Sequence, residues 1–312
     1  MATTSDYLNQ LLTDKATLVD NLVEMGVEAS NEETFTELVP KVLDISTGSD
    51  IEITNASYLF CNNARLNIMD ELLDMCKNTT NTSYMFQNSS NLLNFDFSKF
   101  KTAKIANAAR MFDGCYNLTS IDFNAFDGSY LTNIDRMFNG CVNLTSIDFS
   151  KFISNNITGG MSGICYNCQN ISSIDLSNIN TSRVNNMTEA FSGCTNLTNI
   201  NLKNFDASKC IYFSYTFQNC TNLHEVDISD IASTHNYPTT TRMFYNSGIS
   251  KLIINSTKLF PMSNIDMLQN TPIASGTGYV YVPDNMVETY KSATNWSTYA
   301  DQIKPISELE EV

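Results

Sequence analysis

The stretch MFDGCYNLTSIDFNAF at residues 111–126 returns almost unchanged as MFNGCVNLTSIDFSKF at residues 137–152. The two copies begin 26 residues apart and share the Met-Phe pair, the Gly-Cys pair and the run Asn-Leu-Thr-Ser-Ile-Asp-Phe. A period of roughly 20–50 residues is typical of chains that fold as stacked repeats. The repeated stretch therefore decides which class of fold to expect.

Aligning the chain on the phenylalanine of the Met-Phe pair places nine positions in one column. They are Phe60, Phe86, Phe112, Phe138, Cys165, Phe191, Phe217, Phe244 and Leu268. The steps between them are 24 to 27 residues, so the sequence predicts about nine turns. The first and last copies deviate most, as terminal repeats do because they close the ends of a stack.

Each turn is predicted to contain a short strand and a short helical turn. Residues 120–123 alternate polar and apolar side chains, which is the period of a strand with one buried face. Ahead of the next Met-Phe pair, Ile134, Met137 and Phe138 recur at i, i+3 and i+4, which favours one turn of α-helix or 3₁₀ helix. Neither piece can bury its apolar side alone. We therefore expect an α/β leucine-rich-repeat-type solenoid with a continuous ladder of parallel strands.

Composition limits the classes of partner. The chain of 312 residues carries 18 basic and 33 acidic residues, a net charge of −15. That balance disfavours nucleic acid and anionic membrane surfaces, which attract basic proteins. No apolar run is long enough for a transmembrane helix, so membrane insertion is not expected. The first residues lack a basic segment followed by an unbroken apolar run, so no secretory signal is expected either.

The repeated motif MF(D/N)GCxNLTSIDFxxF, together with LTNIDRMF and VNNM, resembles the BspA-like leucine-rich repeat family of surface proteins. The resemblance covers roughly residues 51–282 and rests on five or more imperfect copies. It implies a solenoid, assigned here to residues 51–275, and a role in adhesion or surface display. It does not imply an enzyme.

The N-terminal segment differs from the repeats. Leu8, Leu11, Leu18 and Leu22 mark an amphipathic helix, and a second helix with Pro40 inside it follows before a polar linker at 46–50. The segment LLTDKATLVDNLVEMGVEASNEETFTELVPKVLDI resembles a helical module at the front of phage tail-fibre and baseplate-associated proteins. That resemblance implies attachment to other tail or baseplate proteins through residues 1–45. The same leucines fit heptad spacing, which favours self-association, for example as a trimer. The alternative is an N-terminal cap for the solenoid.

The C-terminal segment, residues 276–312, is predicted to be a strand-helix cap. GYVYV is a strand, Pro283 ends it, Asp284 is the expected N-cap, and a helix runs to about Ala293. Trp296, the single tryptophan, is expected to cover the open end of the solenoid with Tyr290, Tyr299 and Ile303. The alternative is that Trp296 stacks on a sugar. Similar tails close BspA-like arrays, so the resemblance extends to this end.

Cysteine is frequent but forms a repeat column. The column contains five cysteines and two serines, namely Ser89, Cys115, Cys141, Cys168, Cys194, Cys220 and Ser247. A position shared by cysteine and serine requires a small residue, so buried packing is favoured over disulfides or metal binding. Residues 165–168 spell CxxC, but no second close pair completes a zinc site. We expect no metal, no cofactor and, with only two histidines and no phosphate loop, no catalytic residues.

The outward side of the predicted strands is the candidate ligand-binding surface. It carries acidic and hydroxyl side chains in register: Asp96, Asp122, Asp148, Asp175, Asp227, Ser120 and Ser146. One interpretation is that each carboxylate bonds serine hydroxyls or loop amides and adds solubility. The other is that the row binds a cation, a sugar or a basic partner.

Together these observations predict a non-enzymatic recognition or adhesion protein. A phage tail-associated protein, either receptor-binding or part of the tail fibre or baseplate, is the favoured interpretation. Its expected partner is a bacterial surface protein or glycan, and its expected location is the virion or a bacterial cell surface. A bacterial BspA-like adhesin and a purely structural virion component are the alternatives.

Overall fold

A computed structural model of the chain describes residues 55–62, 76–100, 103–154, 156–234 and 238–309, together with Ser30. The predicted helices of residues 1–45, their leucines and the linker at 46–50 lie outside the described residues. Within the described part, no helix has the length and apolar character needed to cross a lipid bilayer.

Short parallel strands join the repeats in this mixed α/β protein. The strands are β1 (Asn94–Asp96), β2 (Ser120–Asp122), β3 (Ser173–Asp175), β4 (Asn199–Asn201), β5 (Glu225–Asp227), β6 (Lys251–Ile253), β7 (Tyr279–Val282) and β8 (Ile303–Pro305). They form two two-stranded sheets, β1-β2 and β3-β4, and one four-stranded sheet in the order β5-β6-β7-β8. Every pairing is parallel, as expected when each strand follows its neighbour by one repeat.

Helical structure is sparse in the described residues. The α-helices are α1 (Ser229–Thr234) and α2 (Val287–Ser292). The 3₁₀ segments are Cys76–Asn78, Phe97–Phe100, Gly128–Tyr130, Phe149–Lys151, Ile265–Leu268, Asp284–Met286, Trp296–Gln302 and Ile306–Leu309.

The prediction of a continuous strand ladder is wrong. Ser146 and Asp148 occupy the strand position of their repeat but form no strand, and β4 does not pair with β5. At the first break the carbonyl of Ile147 accepts the N–H of Phe149 at 3.2 Å. This local bond turns the chain directly into the 3₁₀ segment Phe149–Lys151 and competes with pairing to the neighbouring repeat.

A second set of bonds between repeats is more regular than the strands. It runs through the residues around each Met-Phe pair, here called the turn ribbon: 56–62, 82–88, 108–114, 134–140, 161–167, 187–193, 213–219 and 240–246. Donors alternate along it. The N–H of Gln87 bonds Tyr84 three residues back at 3.0 Å, whereas the N–H of Phe86 bonds Met111 of the next repeat at 2.8 Å.

In the eight copies of the turn ribbon the predicted helical turn is wrong, because the ribbon is a run of overlapping β-turns. In the last repeat a 3₁₀ segment, Ile265–Leu268, does occupy that place. Two residues of each ribbon copy, four positions apart, have positive φ, for example Tyr84 at 58° and Asn88 at 56°. A right-handed helix cannot contain such residues. Glycine or asparagine occupies the second of these positions throughout, as in Gly114, Gly140 and Asn167, because both residue types tolerate left-handed backbone.

The core is a stack of identical side chains. Phenylalanine rings of adjacent repeats stack nearly parallel, with centroids 5.3 Å apart for Phe60 and Phe86, 5.5 Å for Phe86 and Phe112, and 5.9 Å for Phe112 and Phe138. These rings are 3 % exposed or less. Fully burying one such side chain contributes about 1.5–3 kcal/mol, so the repeated column is a main source of stability.

The cysteine column packs inside the stack, as predicted, and each thiol also has a hydrogen-bond acceptor. Cys141 Sγ donates to the carbonyl of Phe112 at 3.2 Å, and Cys115 Sγ donates to that of Phe86 at 2.9 Å. Ser89 Oγ makes the equivalent bond at 2.8 Å. The column therefore requires a small side chain that donates a hydrogen bond, which explains why only cysteine and serine occur there.

The C-terminal segment packs against the last repeats. Trp296 is fully buried, donates from Nε1 to the carbonyl of Phe260 at 2.8 Å and packs edge-on against Tyr290, which are contacts expected of a residue that covers the end of the repeats. The predicted N-cap at Asp284 is wrong. Its side chain instead accepts the N–H of Ser307 at 3.3 Å, and this bond ties the helix start to the segment after β8. Strand β8 was not predicted.

Candidate binding surface

The predicted carboxylates lie on one exposed face, here called the strand face, formed by the outward residues at the strand positions. Asp96, Asp122, Asp175 and Asp227 end β1, β2, β3 and β5, and Asp148 immediately precedes the 3₁₀ segment Phe149–Lys151. All five are exposed. Asp96 and Asp122 are direct neighbours across a strand pair.

Each of these carboxylates also closes a turn in its own chain. Oδ1 accepts the backbone N–H two residues ahead. The N–O distances are 2.7 Å for Asp96, 2.8 Å for Asp122, 3.0 Å for Asp148, 2.9 Å for Asp175 and 2.8 Å for Asp227. This is the Asx-turn that favours Asp and Asn where a strand ends. Asn201 makes the same bond to Lys203, so the local role needs an acceptor rather than a charge.

Serine hydroxyls strengthen several of these turns. Ser98 Oγ donates to Asp96 at 2.7 Å, and Ser229 Oγ donates to Asp227. Hydrogen bonds from the hydroxyl and the N–H of Ser177 lower the pKa of Asp175. Hydrogen bonding therefore holds that carboxylate in its charged form, and the charge stays on an exposed face.

The two predicted serines lie on the same face. Ser120 Oγ donates to Oδ1 of Asn94, its neighbour across β1 and β2, at 2.7 Å. Ser146 is exposed at the first interruption of the ladder. The structure thus places all seven predicted residues on one side of the stack, in an order set by the repeats.

The strand face changes chemistry at its C-terminal end, which the sequence analysis did not single out. Lys251 and Ile253 of β6, Tyr279 and Tyr281 of β7, and Lys304 of β8 take the outward positions. The alternation in YVYV carried the signal, since buried Val280 and Val282 force both tyrosines outward. The sequence GYVYV predicts only a closing strand, whereas the sheet displays an outward pair of aromatic side chains.

A second partly exposed column follows the turn ribbon and was also missed. It consists of the large side chains at the first positive-φ position of every copy except 161–167, where Gly163 takes that position: Tyr58, Tyr84, Arg110, Arg136, Glu189, Tyr215 and Arg242. Tyr58 and Tyr84 stack at 4.5 Å, and Arg110 lies 5.6 Å from the ring centre of Tyr84. Left-handed backbone costs such residues of order 1 kcal/mol each, which these contacts between repeats offset.

The charges of this column are largely compensated. Arg136 pairs with Glu189 at 2.7 Å, and Arg110 pairs at 3.2 Å with Asp113, which is nearly buried. Asp113 also accepts a bond from Gln87 Nε2 at 3.0 Å. The column therefore acts as a stabilising seam between repeats rather than as an open charged site.

The part of the chain that the structure describes holds no group of three or more His, Cys, Asp or Glu side chains placed to bind a metal ion. Cys165 and Cys168 are both buried, and burial raises the pKa of the Cys165 thiol well above its usual range. A thiol in that state is a poor nucleophile, because the thiolate is the reactive form.

Comparison with known proteins identifies a family for the repeats. The family described as "Mycoplasma protein of unknown function, DUF285" matches residues 54–171 and again residues 159–270. The two matches together span most of the repeat region. No curated protein matches the chain.

Proposed function

The chain belongs to the DUF285 family, whose function is unknown, and from its geometry we propose that it is a non-enzymatic recognition protein. Its strand face would be the surface that contacts a target. One observation carries the proposal: a row of exposed carboxylates and hydroxyls, repeated in register, ends in two outward tyrosines. Such a row presents many hydrogen-bonding groups at fixed spacing on a rigid support.

The finer architecture that we propose is a leucine-rich-repeat-type solenoid of about nine turns, similar to BspA-like arrays. Backbone bonds between residues about one repeat apart support it, as does the stacking of Phe191, Phe217 and Phe244 at 5.7 and 5.3 Å. Solenoids of this kind use extended faces for binding, since each repeat contributes equivalent outward positions.

We further propose a phage tail-associated protein, in which residues 1–45 attach to tail or baseplate proteins and the repeats face a bacterial host. The target would be a bacterial surface protein or glycan. Heptad-spaced Leu8, Leu11, Leu18 and Leu22 favour a homotrimer. A bacterial BspA-like adhesin is the second candidate, favoured by the same repeat motif. A structural virion component is the third.

Binding of the fluorescently labelled full chain to whole bacterial cells tests the proposal. Saturable binding to at least one strain is expected. A chain lacking residues 1–50 should keep cell binding while losing self-association in light scattering. Full-length protein that binds no strain but co-purifies with virions would instead favour the structural role.

A further inference from the structure

We propose that the C-terminal end of the strand face binds a neutral glycan. The site, here called the tyrosine platform, consists of Tyr279 and Tyr281 with Lys251, Ile253 and Lys304 around them. This inference rests on the proposed recognition function and deepens it by assigning a ligand class to one part of the strand face.

The platform is a surface patch defined by strand register. Tyr279 is the partner of Lys251, and Tyr281 is the partner of both Ile253 and Lys304. The tyrosine ring centres lie 6.4 Å apart with their planes 63° apart, and Tyr279 is 39 % exposed. Two adjacent outward rings provide apolar surface with hydroxyls at its edge, which suits a ligand that is apolar on its ring faces and polar at its rim.

The charges around the platform are compensated locally. Lys251 Nζ lies 3.2 Å from Glu225, and Lys304 Nζ lies 3.5 Å from Glu308. Lys304 Nζ also lies 5.6 Å from the ring centre of Tyr279. The patch thus offers hydrogen-bond donors and acceptors, and each of its two lysines is paired with a glutamate. An uncharged polyhydroxylated ligand matches this better than an anion or a strongly basic partner.

The support beneath the platform is rigid. It lies on the four-stranded sheet β5-β6-β7-β8, the largest sheet among the described residues. Val280, Val282 and Ile303 on the reverse side are buried, and Trp296 and Tyr290 close the end beside them. A preorganised surface loses little entropy on binding, so even a small contact area can give measurable affinity.

A protein partner is less favoured by this chemistry. A standard protein interface buries about 800 Å² on each side and has an apolar centre. Here the half-buried Ile253 is the one outward aliphatic residue in the paired rows of β5 to β8, and paired charges surround the rings. Cell binding of the full chain without retardation by any neutral polysaccharide would instead favour a protein partner.

Affinity electrophoresis of the full chain tests the inference. Native gels would contain hydroxyethylcellulose, xylan, mannan or dextran as neutral probes and polygalacturonate as an anionic probe. We expect at least one neutral probe to retard the protein. Tyr279→Ala and Tyr281→Ala should each weaken that retardation about tenfold, because each removes one of two stacking rings. Tyr279→Phe should retain most of it.

Tyr130→Ala is the matched control. Tyr130 is similarly exposed, at 43 %, and has Lys104 Nζ 5.5 Å from its ring centre, but it lies outside the platform. Retardation of this variant should equal that of the unaltered chain. Circular dichroism and Trp296 fluorescence would establish that each variant is folded.

Three results would overturn the inference: no retardation by any neutral probe, stronger retardation by polygalacturonate, or an equal effect of Tyr130→Ala and Tyr279→Ala. Cell binding separates the two proposals. If cell binding survives Tyr279→Ala, the recognition function is supported and the tyrosine platform is contradicted. If a neutral glycan retards the protein but no cells are bound, the tyrosine platform is supported and the recognition of bacterial cells is contradicted.

Discussion

Arg136 reaches across a whole repeat to pair with Glu189, with Nη2 2.7 Å from Oε2 although the two residues are 53 positions apart. Gly163 occupies the equivalent position of the repeat between them. A Cβ atom there would lie 3.0 Å from Cγ of Arg136. The absence of a side chain at Gly163 thus leaves the space through which the ion pair forms. Glycine replaces the usual large residue in this repeat, and the residues of the two adjacent repeats pair across it.

Gly163→Ala should destabilise the protein by about 1–2 kcal/mol, since alanine is strained at a φ of +56° and crowds the Arg136 side chain. Arg136→Ala alone should cost less than about 1 kcal/mol, because the ion pair is partly exposed. Urea denaturation of both variants and of the double variant separates the two effects. The loss of stability that comes from crowding Arg136 should vanish in the double variant. Strictly additive losses would contradict the role given to Gly163.

Cys141→Ser should cost about 1 kcal/mol or less, because a hydroxyl can donate to the carbonyl of Phe112 as Ser89 does to Phe60. Cys141→Val should cost about 1–3 kcal/mol, since it removes the donor and overfills a packed site. Thermal and urea unfolding measure both. A valine variant as stable as the serine variant would contradict the hydrogen-bonding account of the column.

Alkaline pH should destabilise the protein through its buried thiols. Burial raises the pKa of Cys220 from 9.0 to about 12, so the thiol stays protonated in the folded chain while it ionises in the unfolded chain. The contribution of the protonated Cys220 thiol to the free energy of unfolding is complete below about pH 9. Above that pH it decreases by about 1.4 kcal/mol per pH unit. Between about pH 8 and pH 10, Cys220→Ser should therefore lose about 1.4 kcal/mol less than the parent. An equal loss in both proteins would show that Cys220 already ionises in the folded state.

Replacing Asp122 and Asp148 with asparagine separates structure from binding. Asparagine keeps the turn acceptor, as Asn201 does, so the free energy of unfolding should change by less than about 0.5 kcal/mol. Asp148→Ala, which removes the acceptor, should cost about 1 kcal/mol. Cell binding of the double asparagine variant should weaken if the carboxylates contact the target. Unchanged cell binding would show that the carboxylates of Asp122 and Asp148 serve only to close their turns.

The repeat column made much of the fold predictable from sequence. Aligning the Met-Phe pairs located the buried phenylalanines, the thiols and the outward aspartates, because one period governs all of them. The structure departs from the prediction where a local bond overrides the period. The Phe149 N–H breaks the ladder at Ile147, and left-handed residues such as Tyr84 replace the helical turn with β-turns.

The position of the candidate site was predictable from sequence, but the hydrogen bonds of its aspartates and its tyrosine platform were not. The aspartates were located correctly on an exposed face, yet their bonds to the following turn are visible only in three dimensions. The tyrosine platform depends on β8 placing Lys304 beside Tyr281, and nothing in the period indicates a strand at Ile303–Pro305. The pairing of β8 with β7, which lies beyond the last repeat, is therefore seen only in the structure.

The affinity of the labelled full chain for whole bacterial cells, measured by flow cytometry for the parent, Tyr279→Ala and Tyr130→Ala, tests the central claim most directly. Saturable parental binding is expected. Tyr279→Ala should weaken it about tenfold and Tyr130→Ala by less than about twofold. Absence of saturable parental binding to any strain would contradict the claim that the strand face recognises a bacterial surface, and equal losses in the two variants would show that the tyrosine platform takes no part in that recognition.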